Sequence, residues 1–111
     1  MKRKEYLASI RRGLEYLKDA PKTVFDPYPN YPAEVYEVLD LLPPDYDYLA
    51  HYDSMDGKPV SEMTKADIAT MFTFITRGER FCDGHISAYV DSGALYALLC
   101  RLAGLEGVDI P

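Results

Sequence analysis

Apolar residues recur along this chain at helical spacing, and nowhere do they alternate strictly over a strand's length. Over residues 3–18, Tyr6, Leu7, Ile10, Leu14 and Leu17 fall on one face at steps of three and four, with Lys4, Arg11, Glu15 and Lys18 largely opposite. That pattern predicts an amphipathic helix, weakened somewhat by Gly13 and ended at or before Ala20 by Pro21. Residues 21–32 hold prolines at 21, 27, 29 and 32, which deny a regular element and predict a loop. Val35, Val38, Leu39 and Leu42 stripe a second helix from about 32 to 42, with Pro32 in its first turn and Pro43-Pro44 as its stop.

Within 45–54, Tyr48, Leu49 and Tyr52 fit a short helix with Asp45 as its cap, and Asp56-Gly57 marks a turn. The clearest helix is 65–78. Ile68, Met71, Phe72 and Ile75 form its inward face, Thr64 and Asp67 form a capping pair, and Gly78 is its stop. One or two helical turns follow from His85 to Val90, capped by Asp83. Leu95, Leu98, Leu99 and Leu102 stripe a last helix over about 92–103, capped by Asp91 or Ser92 and followed by Gly104. The tail from Leu105 to Pro111 is expected to pack loosely or fray. No internal repeat, linker or low-complexity tract interrupts the series. The expectation is an all-α fold: one domain over residues 1–111, built as a compact bundle of five to six short helices.

Length supports one domain, since 111 residues bury a real core with little to spare. No apolar run approaches bilayer length, and the basic Met1-Lys2-Arg3-Lys4 start leads into an amphipathic helix rather than an apolar signal core. Two cysteines, Cys82 and Cys100, do not make a disulfide framework. A cytoplasmic, reduced setting without a membrane is therefore expected. The formal charge of −6 is uneven: residues 1–22 carry seven basic and three acidic groups, residues 23–70 two basic and ten acidic. The acidic whole opposes strong nucleic-acid binding, although the basic first helix keeps a nucleic-acid accessory role as a third reading. Six of the ten tyrosines lie between Tyr28 and Tyr52, and there is no tryptophan. Tyrosine joins an apolar body to one polar handle, so these residues suit either a wet core or a contact surface.

Candidate chemistry concentrates in Arg77-Gly78-Glu79-Arg80-Phe81-Cys82-Asp83-Gly84-His85, between two predicted helices. Arg77, Glu79, Arg80, Cys82, Asp83 and His85, with Tyr89 one turn beyond His85, form the candidate functional cluster. Arg77 and Arg80 sit near a helix carboxyl end, which favours cations. They either satisfy last-turn carbonyls and pair with Glu79, Asp83 or Asp91, or clamp a phosphate or carboxylate. His85 lies in a first helical turn, where the helix end disfavours its protonated form. It serves as a base beside the Tyr89 phenol or simply hydrogen-bonds within the junction. Cys82 would need a nearby base to act as a nucleophile, and Cys100 reads as inert core. Cys82, Asp83 and His85 are too few for a structural zinc site unless His51 or Cys100 joins them, and no metal or cofactor is assigned. Asp45, Asp47, Asp53 and Asp56 lack a calcium-loop pattern, and no phosphate loop or dinucleotide fingerprint is present.

The segment 77–85 resembles that of a family of small, mostly bacterial proteins of unknown function that share Arg-Gly-Glu-Arg-Phe-Cys-Asp-Gly-His. The similarity extends from Thr73-Phe74-Ile75-Thr76 through Ala88 to the leucine-rich helix ending at Leu102, and takes in Tyr48–Tyr52 loosely. Where the family pattern has an acidic residue and glycine before the last helix, this chain has Asp91-Ser92-Gly93, one residue wider. The resemblance implies kinship and directs attention to residues 77–85, but it supplies no enzyme class and no catalytic assignment.

Two classes of function follow. The first is a non-enzymatic helical domain that binds a protein partner or a second copy of itself through tyrosines and the charged junction. The second is a ligand-binding or hydrolytic domain for a small anionic or phosphorylated substrate. There Arg77 and Arg80 would hold the anion, His85 would be the base, and Asp83 or Glu79 would orient it.

Overall fold

A computed structural model describes residues 2–111. Six α-helices follow in order: α1 Arg3–Lys18, α2 Ala33–Leu39, α3 Tyr48–Ser54, α4 Lys65–Gly78, α5 His85–Asp91 and α6 Ala94–Glu106. A 3₁₀ turn at Val60–Glu62 leads into α4. The all-α bundle expected from the apolar spacing is the fold observed. Its radius of gyration is 13.5 Å, against about 13 Å for a compact domain of this length. Among the described residues, no helix is long and apolar enough to cross a membrane.

The core sits where α1, α2, α4 and α6 meet. Ile10 and Leu14 of α1, Val35 and Val38 of α2, Ile68, Phe72 and Ile75 of α4, and Leu95, Leu99 and Leu102 of α6 are all buried. Fully burying each such side chain stabilises the fold by about 1.5–3 kcal/mol, and the stripes predicted from spacing supply nearly all of it. Gly13 belongs to this packing. A Cβ there would lie 2.5 Å from Val38 Cγ2 and 2.8 Å from Leu99 Cδ2, so the residue that weakens α1 locally lets two helices approach it.

α4 keeps its predicted bounds. Thr64 Oγ1 accepts from Asp67 N–H at 3.2 Å and Asp67 Oδ2 accepts from Thr64 N–H at 2.9 Å, a complete capping box. Lys58 Nζ adds a 2.6 Å contact to the same carboxylate.

Other boundaries differ from expectation. α2 stops at Leu39, three residues short, because Pro43 forbids a helical path that would bring its ring onto the Leu39 carbonyl; Leu41 and Leu42 remain buried in the turn that follows. The proline-rich loop contains a short antiparallel ladder, β1 Val24–Phe25 with β2 Pro29–Asn30, around a turn whose Asp26–Pro27 peptide is cis. It is only two residues long on each side, since prolines remove donors that a longer ladder would need. α6 runs past Gly104 to Glu106. Its end is closed by Gly107 N–H to Gly104 O and Val108 N–H to Ala103 O, with Val108 buried. The helix end is therefore closed rather than frayed, with Val108 packed into the core and Leu105 exposed.

Asp45 and Asp91 are not caps either. Asp45 lies two residues before Asp47, the N-terminal flank of α3, and its Oδ1 accepts from the Asp47 N–H at 2.9 Å rather than from a donor inside the helix. Asp91 Oδ1 accepts from Thr23 N–H and Thr23 Oγ1, and its carbonyl accepts from Lys22 Nζ, which pins the proline-rich loop to the end of α5. Ser92 Oγ accepts from Ala94 N–H at 3.3 Å at the start of α6.

Candidate functional site

The segment 77–85 closes α4 and opens α5, and its polar groups divide between the fold and the surface. Glu79 serves the fold. Its Oε2 accepts from Gly84 N–H at 2.9 Å, and its Oε1 accepts from Ile86 N–H at 2.8 Å and from Tyr31 OH at 2.9 Å. The Tyr31 hydroxyl in turn accepts from Ser87 N–H at 3.2 Å. These bonds satisfy the first-turn donors that a helix start leaves without partners. A carboxylate at a helix amino end is also favoured by the dipole. Burial and the adjacent Glu79 carboxylate push the Tyr31 phenol up to about 12. Asp83, expected to cap α5, does not: it is exposed, and Glu79 from the preceding helix end occupies that place.

His85 faces inward. Its ring lies against Gly78, where a Cβ would collide with Cδ2, Nε2 and Cγ of the imidazole. Gly78 is thus required for close approach of His85, in addition to ending α4. Phe74 meets the imidazole at 5.3 Å and 65°, and Tyr89 meets it at 5.4 Å and 56°. Tyr52 stacks on the other side of the Phe74 interaction at 4.1 Å and 6°. The expected His85–Tyr89 proximity is real, but it joins two rings rather than a base and a hydroxyl. His85 Nε2 is buried without a hydrogen-bond partner.

Arg77 and Arg80 follow the other course. Neither forms an ion pair or side-chain hydrogen bond among the described residues, so the expected pairing with Glu79, Asp83 or Asp91 is absent. The Arg77 guanidinium lies 5.6 Å from the Tyr48 ring centroid and 6.0 Å from that of Tyr46. Both arginines line a cleft of about 830 Å³ between α4 and the segment 39–44. Leu41, Leu42, Pro43 and Pro44 form one flank, and Lys65, Thr76 and Arg77 the other. Arg3 and Tyr6 of α1 also line it, and Asp40 is its one acidic lining residue.

At the α1 side of this cleft, Glu106 accepts from Lys65 Nζ at 3.2 Å and lies 3.7 Å from Arg3. A Tyr6 interaction, then Lys65 and Arg3, holds the Glu106 carboxyl below its ordinary range. Burial, then Glu106, pushes the Tyr6 phenol well above its own. The Tyr6 hydroxyl is buried and lacks hydrogen-bond geometry to any group, so the Tyr6–Glu106 relation is one of proximity.

The remaining members are at the exposed tip. Phe81 is 85% exposed, and Cys82 and Asp83 are open to solvent. Cys82 and Cys100 are both free thiols, with Cys100 half-buried on α6. Among the described residues, no group of three or more His, Cys, Asp and Glu is arranged to hold a metal ion. Among the described residues, no side-chain hydrogen bond or ion pair joins Arg77 or Arg80 to Glu79, Asp83 or His85.

Sequence reasoning missed a second polar cluster. Asp45 Oδ2 accepts from Thr70 Oγ1 and contacts His51 Nδ1, each at 2.6 Å, while its Oδ1 accepts from Asp47 N–H. The Thr70 hydroxyl, then His51, holds the Asp45 carboxyl below its ordinary range. The Asp45 hydrogen bond raises the His51 imidazole, with Asp47 at 4.0 Å adding to it. Asp45 lies before α3 and His51 within it, but nothing in their spacing shows that Thr70 completes the set.

The family model of DUF6508, a family of unknown function, matches residues 18–107, and the chain belongs to that family. No curated protein and no solved structure matches the chain.

Proposed function

We propose that this member of the DUF6508 family is a non-enzymatic recognition domain that binds another protein through the tyrosine and arginine surface where α3 meets the end of α4. The observation that carries this reading is the division of residues 77–85. Groups an acid–base enzyme would use are committed elsewhere: Glu79 closes the start of α5, and His85 Nε2 is buried against Gly78. Groups left uncommitted are Arg80 and Arg77, the latter beside Tyr46, which is 84% exposed, and beside Tyr48, which precedes the exposed Leu49 of α3. Tyrosine and arginine are frequent interface anchors, because each offers a broad flat contact with a polar end. An arginine resting on a tyrosine ring is also partly pre-ordered, which lowers the entropy lost on docking.

Sedimentation velocity over a wide concentration range, with cross-linking to captured proteins, tests this reading. Self-association or a cross-linked partner that disappears in Tyr46→Ser supports it. A monomer at every concentration, with no cross-linked partner, overturns it. The small-ligand reading makes a separate demand: a thermal shift with phosphorylated compounds that is lost in Arg80→Ala.

A further inference from the structure

We propose that the cleft between α4 and residues 39–44 is a docking groove for an extended acidic peptide segment of a partner protein, one that carries acidic residues at its ends and apolar residues between. This deepens the recognition reading and rests on it.

The shape argues for a chain rather than a compact ligand. The α4 lining runs from Lys65 to Arg77, a helical rise of about 18 Å at ~1.5 Å per residue. The length accommodates about five or six extended residues at ~3.3 Å each.

The two flanks differ in chemistry, and an extended peptide presents successive side chains to opposite sides. One flank is Leu41, Leu42, Pro43 and Pro44; the other carries Lys65, Thr76 and Arg77, with Arg80 beyond the helix end. Pro43 and Pro44 have no N–H, so that flank cannot add a strand by a main-chain ladder. Recognition must rest on side chains, with apolar residues against the exposed Pro43 and Pro44 and acidic ones against the cations.

Charge selects the partner. The whole chain is acidic, at −6, yet Arg3, Lys65, Arg77 and Arg80 line this cleft against Asp40 alone. At the α1 end, Glu106 already occupies Arg3 and Lys65 in part. At the other end, Arg77 and Arg80 make no ion pair among the described residues. The stronger anchor is therefore the Arg77–Arg80 end, and low-dielectric walls focus its field on an approaching carboxylate.

The test is a fluorescence-anisotropy titration of the full chain with a capped, dye-labelled hexapeptide of sequence EELPLE. The charge-reversed peptide KKLPLK and inorganic phosphate serve as comparison probes. Saturable binding of EELPLE that weakens with added salt is expected, with none for KKLPLK. The double variant Arg77→Ala/Arg80→Ala should lose about tenfold or more in affinity, and Asp40→Asn should tighten binding about twofold. Unchanged circular dichroism checks that each variant is folded. The proposal is overturned if EELPLE does not bind, if the double variant binds it equally, or if inorganic phosphate displaces it at comparable concentration. Failure of the peptide to bind, in a protein whose Tyr46-dependent self-association persists, would overturn the groove and leave the recognition reading in place.

Discussion

Glu79 and Arg80 are neighbours in the chain and meet opposite surroundings. Every carboxylate oxygen of Glu79 accepts a hydrogen bond from the start of α5 or from Tyr31. Arg80 lines an open cleft and makes no ion pair among the described residues. The same contrast separates His85, packed against Gly78 and two aromatic rings, from Arg77, which rests on tyrosine faces at the cleft edge. A dense run of polar residues is thus not one site. Helix ends demand acceptors and donors, and the part of the run that meets this demand is consumed by folding. What remains is available for a partner.

The largest effect expected on the folded side of this contrast is at Gly78. Gly78→Ala places a methyl group inside the His85 ring and should destabilise the domain by about 3 kcal/mol. Urea unfolding measures it, and His85→Ala in the same chain should recover part of the loss, because the clash is removed. An additive double variant would break the assignment of Gly78 to His85. Next is Glu79→Ala, which leaves Gly84 N–H, Ile86 N–H and Tyr31 OH without their acceptor and should cost about 2 kcal/mol. Hydrogen exchange should rise first at Ile86 and Ser87 of α5 if the carboxylate closes that helix start.

A smaller effect belongs to the exposed Asp45–His51 pair. His51 is raised by Asp45, so its contribution to stability is present below the ordinary imidazole range of about 6.5 and fades as pH rises through the raised folded value. Asp45 is lowered by Thr70 and His51, so its contribution is present above about 3.9 and is lost as pH falls through the depressed value. Unfolding midpoints should therefore decline as pH rises from the ordinary imidazole range through the raised His51 value. An NMR titration of Asp45→Asn should show His51 returning toward its ordinary range; an unmoved His51 would break the pair. The smallest effect is expected from Arg77→Ala and Arg80→Ala, within about 0.5–1 kcal/mol, since the exposed cation–π contacts of Arg77 contribute little and Arg80 makes no ion pair among the described residues. A larger loss would place these arginines with Glu79 on the structural side.

Legibility followed the distance over which each interaction acts. The bounds of α4 were readable because the Thr64–Asp67 box and the Ile68, Phe72 and Ile75 stripe lie within the helix or one residue before it. Gly78 was read as a stop for a local reason, while its second role depends on His85 crossing back over it. Adjacency in sequence points to Asp83 as the α5 cap. Glu79 reaches the same N–H groups from the far side of a turn, assisted by Tyr31, which is 48 residues away. Gly104 marks the end of α6 by its local pattern, but the helix closes at Gly107, where Val108 can bury itself against the core.

The amino-acid sequence by itself determined the helices, the faces they bury and the place where polar chemistry is densest, because periodicity and local capping are short-range effects of spacing and backbone geometry. Only the tertiary structure decided which of those polar groups are consumed and which line a cleft. That outcome depends on partners brought from Tyr31, Tyr46, residues 39–44 and the start of α1, and no local pattern specifies which distant group will arrive first at an unsatisfied donor or leave a cation without a counter-charge.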